Sequence, residues 1–138
     1  MPTDLHPRLD PAHLAVFRCP PGWQPPAFPP EGFVAVVAGA DEVTVVGPES
    51  LLDDPGWARS AEQVDRGWRR VTFPGPLPWE LVGFLADVAG RLAAAQIPFT
   101  SMSGFTTDHV LVRAAQADLA VEVLSGGAPP PQRPGTNP

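Results

Sequence analysis

The sequence predicts an α+β fold, in which an antiparallel sheet carries helices on one face. Short runs rich in β-branched residues recur along the chain, and turn-forming Gly, Pro and Asp residues separate them. One long segment, residues 78–96, instead repeats its apolar residues with the period of a helix. Because short turns join neighbouring strands, we expect the pairing to be antiparallel.

The first half of the chain is predicted to contain mainly strands. Residues 50–67 are polar and broken by Pro55 and Gly56, so we expect at most short helical turns there. The proline-rich residues 19–32 are predicted to be an extended connection packed by Trp23 and Phe28. The predicted strands cover residues 13–18, 33–39, 42–48 and 68–73, and the second and third form a hairpin.

The second half is predicted to contain two helices around a pair of strands. Pro78 suits the first turn of the helix at 78–96, where its missing N–H costs nothing. Gly83 and Gly90 each weaken this helix by about 1 kcal/mol relative to Ala, so we expect a close approach to that side. Two strands at 98–103 and 108–113 and a helix at 114–124 follow.

The order of elements predicts a ferredoxin-like β-α-β-β-α-β pattern that is used about twice. The first repeat, residues 1–66, has lost its first helix to the proline-rich loop, and residues 67–125 form the second repeat. Sequence identity between the halves is negligible, so this duplication rests on element order. Residues 126–138 have almost nothing to bury and are predicted to be a disordered or loosely docked tail.

Composition excludes several classes of function. The 138 residues carry a net charge of −6, which argues against binding to nucleic acid. No apolar run reaches the length of about 20 residues that spans a bilayer, and the first residues lack the regions of a signal peptide. Cys19 is the single cysteine, which fits a reducing compartment. We therefore expect a cytoplasmic protein without membrane contact, metal or cofactor.

Residues 66–124 contain several short motifs in a fixed order. They are Gly67-Trp68, Gly75-Pro76-Leu77, Leu92-Ala93, Ile97 and Thr107-Asp108 leading into Val110-Leu111-Val112. Together these motifs resemble the ACT-domain family, in particular small bacterial proteins made of two tandem ACT-like repeats. One feature departs from the family pattern, because Ser103-Gly104-Phe105 stands where the family usually has Ser-Thr-aromatic.

The resemblance implies a regulatory module rather than an enzyme. ACT domains commonly bind free amino acids, often at an interface between two ACT units, so the resemblance implies an amino-acid ligand and a homodimer. The alternative, which the residues leave open, is a structural module for homo-oligomerisation or protein interaction without any ligand.

The residue chemistry predicts where an amino acid would bind. Gly75, Pro76 and Leu77 precede the predicted helix, whose uncapped N–H groups suit a carboxylate. Asp108 could pair with the ammonium group. Neutral hydrogen bonds would come from Ser101, Ser103, Thr106 and Thr107.

These residues are also compatible with a simple turn, whereas two catalytic or metal-binding arrangements are disfavoured. A cluster of Ser, Thr, Gly and Asp between strands is also typical of a turn satisfied by its own side chains, and this alternative stays open. A hydrolase triad of Ser103, Asp108 and His109 is disfavoured, because adjacent strand residues point to opposite faces. The scattered histidines and Cys19 lack the spacing of a metal site.

Overall fold

The computed structural model describes residues 3–75 and 82–127. These residues form six strands, β1 to β6, and three α-helices, α1 to α3, with short 3-10 turns at Glu49–Asp53 and Ala114–Gln116. The strands are β1 (Arg8–Cys19), β2 (Ala35–Ala38), β3 (Val43–Pro48), β4 (Gln63–Thr72), β5 (Phe99–Ser103) and β6 (Asp108–Arg113). The helices are α1 (Pro55–Ala58), α2 (Phe84–Ala94) and α3 (Ala117–Leu124).

The chain divides into two compact units. One comprises residues 11–70 and is called the 11–70 unit. The other, called the C-terminal unit, combines residues 1–10 with residues 71–138, to the extent that these are described. Each of the strands β1 and β4 contributes residues to both units.

In the 11–70 unit the strands lie side by side in the order β2-β3-β1-β4. β3 is antiparallel to both of its neighbours: Val45 is opposite Phe17 of β1 and opposite Val36 of β2. This register confirms the predicted hairpin between β2 and β3. The β-branched residues of these strands favour such a pleated, half-buried surface.

The core of the 11–70 unit lies on one face of its strands. Phe17 and Val45 are buried there together with Trp57 of α1. Asp54 starts α1 by accepting a hydrogen bond from the Gly56 N–H through its side chain. The ring of Trp57 lies 5.9 Å from those of Trp23 and Phe28, so the proline-rich segment packs on the core through the two aromatic residues expected.

In the C-terminal unit the order is β4-β6-β5, and helices cover one face. β5 and β6 are antiparallel, with Phe99 opposite Val112 and Ser101 opposite Val110. The covered face buries side chains from the strands and both helices, which include Val110, Val112, Val88, Leu92, Val123 and Leu124. An antiparallel sheet with helices on one face is therefore what this unit shows.

The predicted start of the long helix is wrong. Residues 78–81 lie outside the described residues, but Val82 and Gly83 are not helical and α2 begins at Phe84. Gly83 has a φ of 86°, in the left-handed region, so a continuous helix through this residue is not possible. The ring of Phe84 packs at 5.0 Å against Phe73, which fixes the helix start on the core.

The predicted close approach at the helix glycines is also wrong for the described residues. A Cβ atom added at Gly83 or Gly90 would meet nothing within 4 Å. The positive φ of Gly83 accounts for glycine at that position, whereas nothing in the packing requires glycine at Gly90.

Two strands are longer than predicted. β1 begins at Arg8 rather than at residue 13, and β4 begins at Gln63 rather than at residue 68. β4 passes through Gly67 with a φ of 85°, while the Gly67 N–H donates to the Glu49 carboxylate at 3.0 Å. A glycine inside a strand accommodates such a local distortion. Gly67 therefore lies within β4 and does not end the strand, although the sequence predicted a strand start directly after it.

The remaining predictions have mixed outcomes. The short helical turns expected within 50–67 are present at 49–58, and the last helix begins at Ala117, after a 3-10 turn. From residue 128 onward the predicted tail lies outside the described residues. None of the described helices is both long and apolar enough to cross a membrane.

Candidate ligand-binding site

Ser103 and Asp108 form a hydrogen-bonded pair at the end of the β5–β6 hairpin. The two residues lie directly opposite each other in the register, and a tight turn closed by the Gly104 N–H and the Thr107 carbonyl at 2.8 Å joins their strands. The Ser103 hydroxyl donates to Oδ1 of Asp108. No other residue of the described ranges bonds the Asp108 carboxylate, so its second oxygen is available to a ligand.

This pair lies on the helix-covered face of the hairpin. Residues directly opposite each other in an antiparallel pair share a face, and successive residues alternate. Ser103 and Asp108 therefore share the face of Val110 and Val112, which pack against α2 and α3. His109 projects to the other face, so Asp108 cannot orient its ring. As predicted, this geometry argues against a hydrolase triad.

The start of α2 provides backbone donors without a side-chain cap. The first helical bond runs from the Asp87 N–H to the Gly83 carbonyl at 2.9 Å, and no side chain caps the N-terminus. The N–H groups of residues 84–86 therefore precede the first helical bond. They carry the partial positive charge that favours an anion.

The connection between α2 and β5 leads us to expect the start of α2 and the Asp108 carboxylate toward the same end of the C-terminal unit. α2 ends in a Schellman motif, in which Ile97 donates to Leu92 and Gln96 donates to Ala93, both at 2.9 Å. Only residues 95–98 separate α2 from β5, so the chain reverses between them. We therefore expect the C-terminal end of β5, at Ser103, to return toward the beginning of the helix.

The other predicted site residues have different positions. Ser101 is half-buried in β5 on the same face as Ser103, and Thr106 is exposed at the hairpin turn. Thr107 closes the turn through its backbone carbonyl, which accepts from the Gly104 N–H. Gly75 is exposed in a bend, while Pro76 and Leu77 lie outside the described residues.

Exposed apolar side chains on the same two elements were not predicted as part of a site. Val82 and Phe105 are 92% and 81% exposed, and Leu85 in the first turn of α2 is 39% exposed. Phe105 follows Gly104 at the tip of a tight turn, and this position is the sequence signal that could have indicated its exposure.

The described residues contain neither a cluster of metal-ligating side chains nor an exposed, reactive cysteine. No cluster of three His, Cys, Asp or Glu side chains with the geometry of a metal site occurs in residues 3–75 and 82–127. Cys19 is fully buried, and burial, followed by the nearby charge of Glu62, raises the pKa of its thiol. A buried thiol with a raised pKa is poorly reactive.

Comparison with known proteins gives a family match for the part of the chain that holds this hairpin. The family model described as the ACT domain matches residues 63–126, which include α2, β5, β6 and α3. The resemblance found in the sequence is therefore confirmed for this region.

Curated relatives include a named sensor. The chain is 34% identical over 95 residues to the cytosolic arginine sensor for mTORC1 subunit 1 of Homo sapiens and to that of Bos taurus. The match covers 68% of this chain and 26% of each relative. The chain thus spans about a quarter of the length of these relatives.

Similar solved structures share the fold. A structural-genomics protein from Agrobacterium tumefaciens superposes with a TM-score of 0.69 at 24% identity, covering 85% of both chains. The regulatory subunit of aspartate kinase from Thermus thermophilus gives a TM-score of 0.62 at 13% identity, covering 88% of this chain and 95% of that subunit. At these identities the likeness establishes the fold alone.

Proposed function

We propose that this chain is a non-catalytic regulatory protein that binds a free amino acid. The site lies at the end of the C-terminal unit where α2 begins and the β5–β6 hairpin turns. The observation that carries the proposal is the Asp108 carboxylate, which Ser103 holds through one oxygen while the second has no partner among the described residues. The ACT match over residues 63–126 supports a regulatory, amino-acid-binding role.

Each group of the site has a role in this proposal. The N–H groups that open α2, at residues 84–86, bind the ligand carboxylate, and Asp108 accepts hydrogen bonds from the ligand ammonium. Ser101, Thr106 and Thr107 add neutral hydrogen bonds. Gly75, Pro76 and Leu77, which precede the helix, remain predicted contacts. The correction of the helix start moves the proposed donors from the N-terminus of the helix predicted at 78–96 to residues 84–86.

Arginine is the first ligand to examine. The human and bovine relatives are named as arginine sensors, and their name also places them in the cytosol. Because the match covers about a quarter of those proteins, both the ligand and a cytoplasmic location are proposals for this chain.

We further propose that the fold is a tandem of two ACT-like repeats. In the 11–70 unit the order β2-β3-β1-β4 corresponds to the 2-3-1-4 strand order of one ferredoxin-like repeat. The proline-rich segment between β1 and β2 stands where the first helix of that repeat would be. The division into residues 1–66 and 67–125 remains part of this proposal.

A second candidate function is an interaction module that forms homodimers without a ligand. Its support is the exposure of three apolar side chains, Val82, Leu85 and Phe105, in the C-terminal unit. Exposed apolar side chains of this kind are enriched where proteins associate.

A thermal-shift screen over the common amino acids separates the two functions. A ligand at 100 times its dissociation constant adds roughly 2.7 kcal/mol to the free energy of unfolding, which raises the Tm by several degrees. Asp108→Asn is expected to remove the shift, whereas Asp118→Asn, an exposed aspartate at the start of α3, keeps it. A stable dimer whose Tm no amino acid raises contradicts the sensor and favours the interaction module.

A further inference from the structure

A groove of about 400 Å³ lies between α2 and α3 in the C-terminal unit. Ala86, Gly90 and Ala94 of α2 line it, and because successive ones are four residues apart they share one face of the helix. Val123 of α3 and Gly127, the last described residue, complete the apolar part of the lining. This groove is called the α2–α3 groove.

The two charged side chains of the α2–α3 groove already bond each other. Arg91 donates to both carboxylate oxygens of Asp87, at 2.9 and 3.1 Å. The same guanidinium also donates to the backbone carbonyls of Thr3 and Leu124. The surface left for an occupant is therefore mainly methyl groups and backbone carbon atoms, which suit an apolar molecule better than a charged one.

The chain leaves α3 directly at this groove. Gly126 has a φ of 100° and donates to the Val123 carbonyl at 3.3 Å, and the Gly127 N–H donates to the Glu122 carbonyl at 2.9 Å, which together form a Schellman motif. A Cβ atom added at Gly127 would lie 2.8 Å from the Glu122 carbonyl oxygen, so only glycine fits so close to the helix end. The backbone that leads into residue 128 is therefore held against the groove.

The sequence that follows has the chemistry and the length to fill the groove. Residues 128–138, which lie outside the described residues, read APPPQRPGTNP. The prolines at 129–131 have no backbone N–H, so covering them leaves no donor without a partner. In the extended conformation that proline favours, at about 3.1 Å per residue, residues 128–131 span roughly 12 Å. Ala86 and Ala94 also lie about 12 Å apart along α2, at about 1.5 Å per residue.

We propose that the α2–α3 groove is the docking site of the proline-rich segment 128–138 of the same chain. The rings of the prolines at 129–131 lie on the methyl groups of Ala86 and Ala94. The docked segment covers an apolar surface that other proteins would otherwise contact. This inference is independent of the amino-acid site at the β5–β6 hairpin and goes beyond it.

The test is an NMR measurement, on the full chain, of nuclear Overhauser effects (NOEs) between proline ring protons and alanine methyl groups. The proposal predicts NOEs from the prolines at 129–131 to the methyl groups of Ala86 and Ala94. Ala94→Gln puts a long side chain into the groove and is expected to remove the NOEs to Ala86. Ala93→Gln, at a neighbouring exposed position of α2 outside the groove lining, keeps them.

A mixture of isotope-labelled and unlabelled chains identifies the occupant. NOEs within the labelled chains that Ala94→Gln removes and Ala93→Gln keeps support docking of the chain's own segment. NOEs from labelled alanine methyl groups to unlabelled prolines show that a second copy supplies the segment, and they overturn docking within one chain. The complete lack of such NOEs, or NOEs that Ala94→Gln leaves unchanged, overturns the groove as the docking site.

Discussion

Individual side chains explain why the site is a pair rather than a cluster. Among Ser101, Ser103, Thr106, Thr107 and Asp108, only Ser103 and Asp108 bond each other through their side chains. The hairpin register places them opposite each other, whereas Thr106 lies in the turn between the strands. Local sequence spacing could predict this pairing, because the two β-rich runs flank a short polar turn.

Two glycines provide opposite tests of backbone conformation. Gly90 lies inside α2 and Gly67 inside β4 with a φ of 85°, and a Cβ atom meets nothing within 4 Å at either position. Gly90→Ala is expected to raise the free energy of unfolding by about 0.5–1 kcal/mol. Gly67→Ala is expected to lower it by about 1–2 kcal/mol, since the new side chain is forced into the left-handed region.

Urea denaturation of both variants measures these changes. Because neither Cβ atom has a neighbour to contact, the difference between the variants reports backbone conformation alone. A loss of stability in Gly90→Ala contradicts the helical geometry assigned to that position.

Cys19 predicts a dependence of stability on alkaline pH. Burial, and secondarily the charge of Glu62, raises the pKa of the folded thiol above its ordinary value of 9.0. The unfolded chain therefore releases the proton first, and stability falls as pH rises from about 9 toward the folded pKa. Below pH 9 both states keep the proton and this contribution is fully present.

The measurement compares the chain with Cys19→Ala in urea at pH 7 and pH 10 under reducing conditions. The substitution costs stability at pH 7 because it leaves a small cavity in the core. Its cost is expected to shrink at pH 10, since the variant has no thiol to ionise. An equal cost at both pH values contradicts the raised pKa.

At the scale of elements, the C-terminal end of α2 follows a recognised pattern of helix termination. The end of the helix follows a Schellman motif with Gln96 at the left-handed position, a φ of 59°, where glycine is more usual. The contact that accompanies such a motif comes from Ile97 and Leu92, which are both buried. The predicted helix ended at residue 96, close to this reversal, because the apolar period stops there.

Gln96→Gly is expected to stabilise the chain by about 1 kcal/mol, because glycine adopts this conformation without the steric cost of a Cβ atom. Gln96→Ala keeps that cost and serves as the control, with little expected change. Thermal unfolding of both variants tests the motif. A gain from alanine equal to that from glycine contradicts the left-handed conformation at residue 96.

At the scale of the whole molecule, apolar patterning predicted most strands but not all their ends. Val45, Val110 and Val112 belong to β-branched runs whose burial follows directly from the pattern. The first residues of β4, Gln63 to Arg66, are all exposed, so no apolar alternation marked them as a strand. The helix start was missed because the favourable position of Pro78 outweighed the conformational signal of Gly83.

The functional site was harder to predict than the fold. Asp108 and Ser103 are paired by the register, but the proposed helix donors depend on where α2 begins, which the backbone at Gly83 determines. A surface cleft in the 11–70 unit is lined by Arg18, Thr44 and Gln63, which come from three separate strands. Such convergence is a property of strand order and is absent from any short segment of sequence.

The most direct test of the central claim is a calorimetric titration with the amino acid that gives the largest thermal shift. The account predicts saturable binding to the unchanged chain and to Asp118→Asn. For Asp108→Asn it predicts binding weaker by roughly tenfold or more, because the ammonium loses its charged acceptor. Equal affinity for Asp108→Asn and the unchanged chain would contradict an amino-acid site at the β5–β6 hairpin.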